Sequence, residues 1–108
     1  MENAVPHWAI LKASGPPDLF GYSVYRELEG TEAEALAVML ELVDTFAEAR
    51  TEAGHRRQRR QVFRLNERSY FIRVHNRVAA IEEAHFILAP LIADTSNDQL
   101  PDIAGQSV

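Results

Sequence analysis

Between Leu36 and Ala47, apolar side chains recur at steps of three and four residues: Leu36, Leu40, Val43 and Ala47, joined by Met39 and Phe46. That period lays one stripe along an α-helix. Glu34, Glu41, Glu48 and Glu52, with Asp44 beside them, fall on the opposite side. Thr31 and Glu34 have the spacing of a capping box, in which each side chain satisfies a free main-chain N–H near the other. Gly54 suits the position just past a helix end. The pattern predicts one long helix from about Glu32 to Gly54. Arg50, Arg56 and Arg57 are placed to offset the negative end of its dipole.

On both sides of this stretch the period falls to two. His7 to Ala13 and Gly21 to Leu28 read as strands, with Tyr22, Val24 and Arg26 alternating against Ser23, Tyr25 and Glu27. Ser14-Gly15-Pro16-Pro17-Asp18 between them is dense in turn residues, so a hairpin with a longer loop is expected. Arg59 to Leu65 and Ser69 to His75 form a second hairpin around Asn66-Glu67-Arg68. Phe63 and Leu65, with Tyr70, Ile72 and Val74, are expected on the face that meets the helix. Arg60, Val62 and Arg64, with Phe71, Arg73 and His75, are expected on a basic face with aromatic relief.

Val78 to Ala89 is ambiguous. Val78, Ile81, His85 and Leu88 fit a helical stripe, and a strand near Ala84 to Leu88 fits as well. Pro90 would end or kink a helix. The expected fold is α+β: an antiparallel sheet of about four to five strands, in the order β-β-α-β-β and then a helix or strand, packed on one long helix. Residues 1–95 make one domain on ordinary size priors, and 96–108 read as a flexible tail. One helix covers one sheet face, so a second chain or a ligand is expected over the other, with a homodimer as the first choice.

Charge sharpens this picture. His55 to Arg77 holds eight of the 11 basic side chains and a single acid, Glu67, a formal +7; the remainder carries −12 of the chain's net −5. Such segregation points to an acidic or anionic partner. Arg56, Arg57, Arg59, Arg60, Arg64 and Arg73, with Phe71 as a stacking surface, are the candidate binding residues. An acidic protein or peptide, or a small anionic ligand, is the expected partner. Nucleic acid is less favoured, because the chain as a whole is acidic.

The chain has no cysteine, which excludes disulfides, thiolate zinc sites and cysteine nucleophiles. Met1-Glu2-Asn3-Ala4 lacks the features of a signal peptide, and the longest apolar stretch, Phe86 to Ala93, is far short of the roughly 20 residues of a membrane span. A soluble, cytoplasmic protein with no membrane partner is expected.

His7, His75, His85 and Tyr70 are the candidate acid–base groups, with Arg64 or Arg73 to hold a substrate carboxylate. Glu82-x-x-His85 would put two metal ligands one helical turn apart, but dimetal sites need a second such pair, so no metal is expected. No Gly-x-Gly-x-x-Gly or Walker pattern occurs, and no cofactor is expected. Two functions compete. The first is a small non-catalytic module holding an acidic partner on an Arg-rich strand face. The second is a small cofactor-free enzyme of isomerase, cyclase or eliminating type, with a His/Tyr/Arg pocket. An immunity- or antitoxin-like protein is a further possibility, in which the acidic stripe would matter more than the basic cluster.

Overall fold

A computed structural model describes residues 5–14, 21–49, 51–76 and 81–95, with only the main chain for 55–57. The elements are β1 (His7–Ser14), β2 (Gly21–Glu29), α1 (Glu32–Thr45), α2 (Glu52–Arg57), β3 (Arg59–Asn66), β4 (Ser69–His75) and β5 (Glu82–Pro90). The five strands form one antiparallel sheet in the order β2-β1-β5-β4-β3. The fold is therefore α+β, with β2 and β3 as its two edges. The chain leaves one edge at Glu29, crosses the sheet as α1, and returns at the opposite edge at Arg59. The loop expected around Gly15-Pro16-Pro17 and the tail expected over 96–108 lie outside the described residues.

Alternation along the pleat decides what the sheet buries. Trp8, Ile10, Ile72, Val74, Ala84, Phe86 and Leu88 point to one side and meet Ala35, Met39 and Val43 of α1. Those three helix residues stand four apart, so they share one face. Leu36 and Phe46 flank them, half-buried, as the stripe predicts.

The start of α1 follows the capping box. The Glu34 main-chain N–H donates to Thr31 Oγ1 at 3.1 Å, and the Thr31 N–H donates to Glu34 Oε1 at 2.8 Å. Gly30 before it is at φ 145°, and a Cβ there would sit 2.5 Å from Glu34 Oε1. The box therefore needs both the glycine conformation and the absence of a side chain. Trp8 Nε1–H donates to the Gly30 carbonyl at 3.0 Å, tying this turn to the sheet.

The single long helix is corrected: α1 stops at Thr45, after 14 residues, and the six-residue α2 follows separately. Phe46 leaves helical geometry at ψ 127°, and Ala47 has φ 54°. Gly54 lies inside α2, where its N–H donates to Thr51 Oγ1 at 2.9 Å, so it is not the end of the first helix. The last turn of α1 has no basic residue of its own. Arg60 supplies the cation from β3: Nη1–H donates to the Phe46 carbonyl at 2.6 Å and Nη2–H to the Val43 carbonyl at 2.8 Å. Gln58 Nε2–H also donates to the Ala47 carbonyl at 2.6 Å. The acidic spacing continues across this break, so the pattern gave no sign of it.

From Glu82 on, the ambiguous segment is β5, the central strand; residues 78–80 lie outside the described residues. Its alternation buries Ala84, Phe86 and Leu88 and turns His85 and Ile87 to the other side. Glu82 and His85 consequently face opposite sides of a strand and do not form a shared ligand pair. Among the described residues, no three His, Asp or Glu side chains gather as a metal-holding group. No described helix is long and apolar enough to cross a membrane.

Candidate functional site

The β3–β4 register divides the arginines. Arg60 pairs with Val74, Val62 with Ile72, and Arg64 with Tyr70; Phe63 pairs with Phe71. Cross-strand partners share a face, so Arg60, Val62 and Arg64 lie on the helix side. Arg59, Gln61 and Phe63 lie on the open side with Phe71, Arg73 and His75, and a register shift between Arg64 and Asn66 leaves Leu65 without a partner in β4. This corrects the expected grouping, which had set Arg60 and Arg64 on the same face as Arg73. The alternation of β4, and of β3 as far as Arg64, follows the expectation; which faces meet across the hairpin does not.

Several arginines are engaged within the chain. Arg60 caps α1. Arg73 Nε–H donates to Glu83 Oε2 at 3.0 Å on the open face. Arg68 Nε–H donates to Glu32 Oε2 at 2.8 Å, and its guanidinium lies 5.0 Å from the centre of the Trp8 ring. That hydrogen bond holds the Glu32 carboxyl below, and the Arg68 guanidinium above, their ordinary pKa values. Arg59 and Arg64 are the described arginines left at the exposed edge strand. The side chains of Arg56 and Arg57 lie outside the described residues.

Arg64 borders a shallow groove of about 370 Å³ between the first turn of α1 and the β3–β4 hairpin, where Leu36 and Tyr70 give an apolar floor and Glu32 and Glu67 a polar rim. α1 packs over β1 and β5, leaving the helix side of β3 open at Val62. Val62, Phe63 and Leu65 are 47%, 43% and 55% exposed, so β3 is accessible on both faces and at its outer edge.

The chain matches no family model, curated protein or solved structure.

The other candidates collect on the open face, except Tyr70, which faces the helix side. His7 Nε2 lies 3.0 Å from Glu27 Oε1, and His75 Nε2 lies 3.2 Å from Gln61 Oε1. His85 sits at the centre of the sheet. Its Nε2 is 3.0 Å from Ser69 Oγ, and its Nδ1 is hydrogen-bonded to the Tyr22 hydroxyl. Ser69 is 5% exposed and Tyr22 51%, so the chain runs from solvent through an imidazole to a buried hydroxyl. Neither Ser69 nor Tyr22 is among the acid–base candidates of the sequence. Their positions 16 and 63 residues from His85 carry no linear signal. Only the register, with Ala13 beside both Tyr22 and His85, brings them together.

Burial lowers the His85 pKa from its usual 6.5. The folded state therefore resists protonation more than the unfolded state does. Stability from this group is present above about pH 6.5 and is lost as pH falls toward the lowered folded value. His85→Gln should flatten that part of the pH dependence. Urea midpoints for both proteins at about pH 7.5 and 5 measure it, and parallel declines would assign the acid sensitivity elsewhere.

Proposed function

We propose that the protein is a small non-catalytic binding module that holds an acidic partner along β3. One observation carries this reading: β3 is an exposed edge strand, and its accessible cations, Arg59 and Arg64, lie on an element with no acid of its own. Guanidinium groups make charge-assisted, often bidentate bonds to carboxylates, which suits an anionic partner at an open edge.

Fluorescence anisotropy with a labelled ten-residue oligoglutamate tests this. Binding should weaken steeply as salt rises, because exposed charges are screened. Arg59→Gln with Arg64→Gln should lower affinity by about tenfold or more, the scale of one lost charge-assisted contact. Arg60 is left unchanged because it holds the end of α1. Binding that is absent in the parent protein, or unchanged in the double variant, overturns the reading.

A second copy packed on the open sheet face is the other half of the proposal. It would cover Leu11, Val24, Phe71 and Ile87 around the Ser69–His85–Tyr22 chain. Light scattering at micromolar concentration decides it: a dimer supports this half, and a monomer removes it while leaving the role of β3 standing.

The Tyr22–His85–Ser69 chain favours a second reading, a cofactor-free enzyme moving a proton on the open face. The groove beside Tyr70 and Arg64 is on the other side of the sheet from His7, His75 and His85. The pocket expected to unite these groups is thus divided between two faces, so the binding reading stands first.

A further inference from the structure

We infer that β3 receives its partner as a sixth strand: an extended segment with acidic side chains toward the helix side and apolar ones toward the open face. This deepens the proposal above and rests on it. An edge strand presents a row of main-chain donors and acceptors, and adding a strand satisfies them. Among the described residues, no main-chain hydrogen bond outside the ladders involves Arg59–Asn66. The outer edge of β3 is thus open to pairing.

The side chains of β3 specify the visitor. On the helix side, a neighbouring strand would run beside Arg60, Val62 and Arg64. The Arg60 guanidinium donates to carbonyls of α1, and Arg64 stands at the groove. On the open side the neighbours are Arg59, Gln61 and Phe63. Side chains two apart on the incoming strand share a face. Carboxylates on the helix side would therefore meet Arg60 and Arg64, one at the end of the segment on the open side would meet Arg59, and the residues between would cover Gln61 and Phe63. Cross-strand pairs of opposite charge stabilise a ladder, so the pattern should be felt as well as the net charge.

The same arrangement argues against a second copy at this edge. Pairing β3 with itself antiparallel would bring Arg59 and Arg60 of each chain toward the Arg64 end of the other, and like charges across a ladder are destabilising. The β2 edge fits no better. A register shift at Ile10/Leu11 leaves Tyr25 as the extra residue in β2. Beyond it, Arg26 and Leu28 fall on the helix side, and Glu27 and Glu29 fall on the open side. An acidic strand of another protein is the occupant the charges select.

Four end-blocked eight-residue peptides test the mode on the full chain. The first alternates Glu and Val. The second has the same composition in two blocks, four Glu then four Val. The third and fourth are the alternating peptide N-methylated at every even or every odd residue, each of which removes N–H donors along one edge and keeps the charge. The alternating peptide should bind about tenfold tighter than the block isomer. One of the two N-methylation frames, even or odd, should abolish binding. Equal affinity for the alternating and block peptides, or indifference to both N-methylation frames, overturns strand addition while acidic binding survives. Failure of all four peptides and of oligoglutamate would overturn the functional reading as well. A protein that forms head-to-tail oligomers with this edge already filled would replace the acidic peptide with a second copy.

Discussion

Phe86→Ala should cost about 3–5 kcal/mol, the range for truncating a buried aromatic. Phe86 is 2% exposed on the central strand, where Tyr70 is its β4 partner and Lys12 its β1 partner. Its ring meets Tyr25 and Phe46 edge-on, at centroid distances of 6.1 and 6.2 Å. Lys12 Nζ lies 4.8 Å from the Tyr25 centroid and 5.3 Å from that of Phe46, so the ammonium shares this aromatic group. Truncation would open a cavity between sheet and helix and loosen the rings that surround the cation. A domain of this size has only about 5–15 kcal/mol in total, so the variant should be close to unfolding at physiological temperature. Urea denaturation measures the loss. A change below about 1 kcal/mol would contradict the packing of β5 at the centre of the core.

Arg60→Gln should cost about 2 kcal/mol, within the range for hydrogen bonds to charged groups. Two effects combine. The Val43 and Phe46 carbonyls lose donors at the end of α1, and the negative end of the helix loses its only described cationic cap. Arg60→Lys should recover part of the loss, since one ammonium can meet the dipole but cannot reproduce the two-pronged fork. The same urea titration reads both variants. Equal stability of Arg60→Gln and the parent protein would show that α1 ends without help from β3.

Much of the fold was legible because local and tertiary preferences agree. The Thr31–Glu34 box marked the start of α1 to the residue, and alternation marked the first four strands. Three features depended on distant parts of the chain. The helix ends at Thr45, where the Val43 and Phe46 carbonyls accept from Arg60, fourteen or more positions away. Residues Glu82–Pro90 become a strand because they lie between β1 and β4, where alternate burial outweighs the helical preference of Ala and Glu. The register shift before Leu11 interrupts the alternation of β2, so Arg26 leaves the face of Tyr22 and Val24.

The site was legible in composition and illegible in arrangement. Clustered arginines marked β3 and β4 as the region of interest. The hairpin register then divided them, and partners from elsewhere in the chain, Glu32 and Glu83, occupied Arg68 and Arg73. That β3 is an edge follows from strand order, which its own residues do not encode. The hydrogen-bonded group of Tyr22, His85 and Ser69 is likewise a product of three strands meeting.

Amide chemical-shift mapping of the isotope-labelled protein, titrated with oligoglutamate at low salt, locates an acidic partner residue by residue. The largest changes should fall on Arg59–Asn66 and the adjoining Ser69–His75, with Gly21–Glu29 at the far edge unmoved. Changes confined to the β2 edge or the middle of the open face, or none at all, would contradict a partner held along β3.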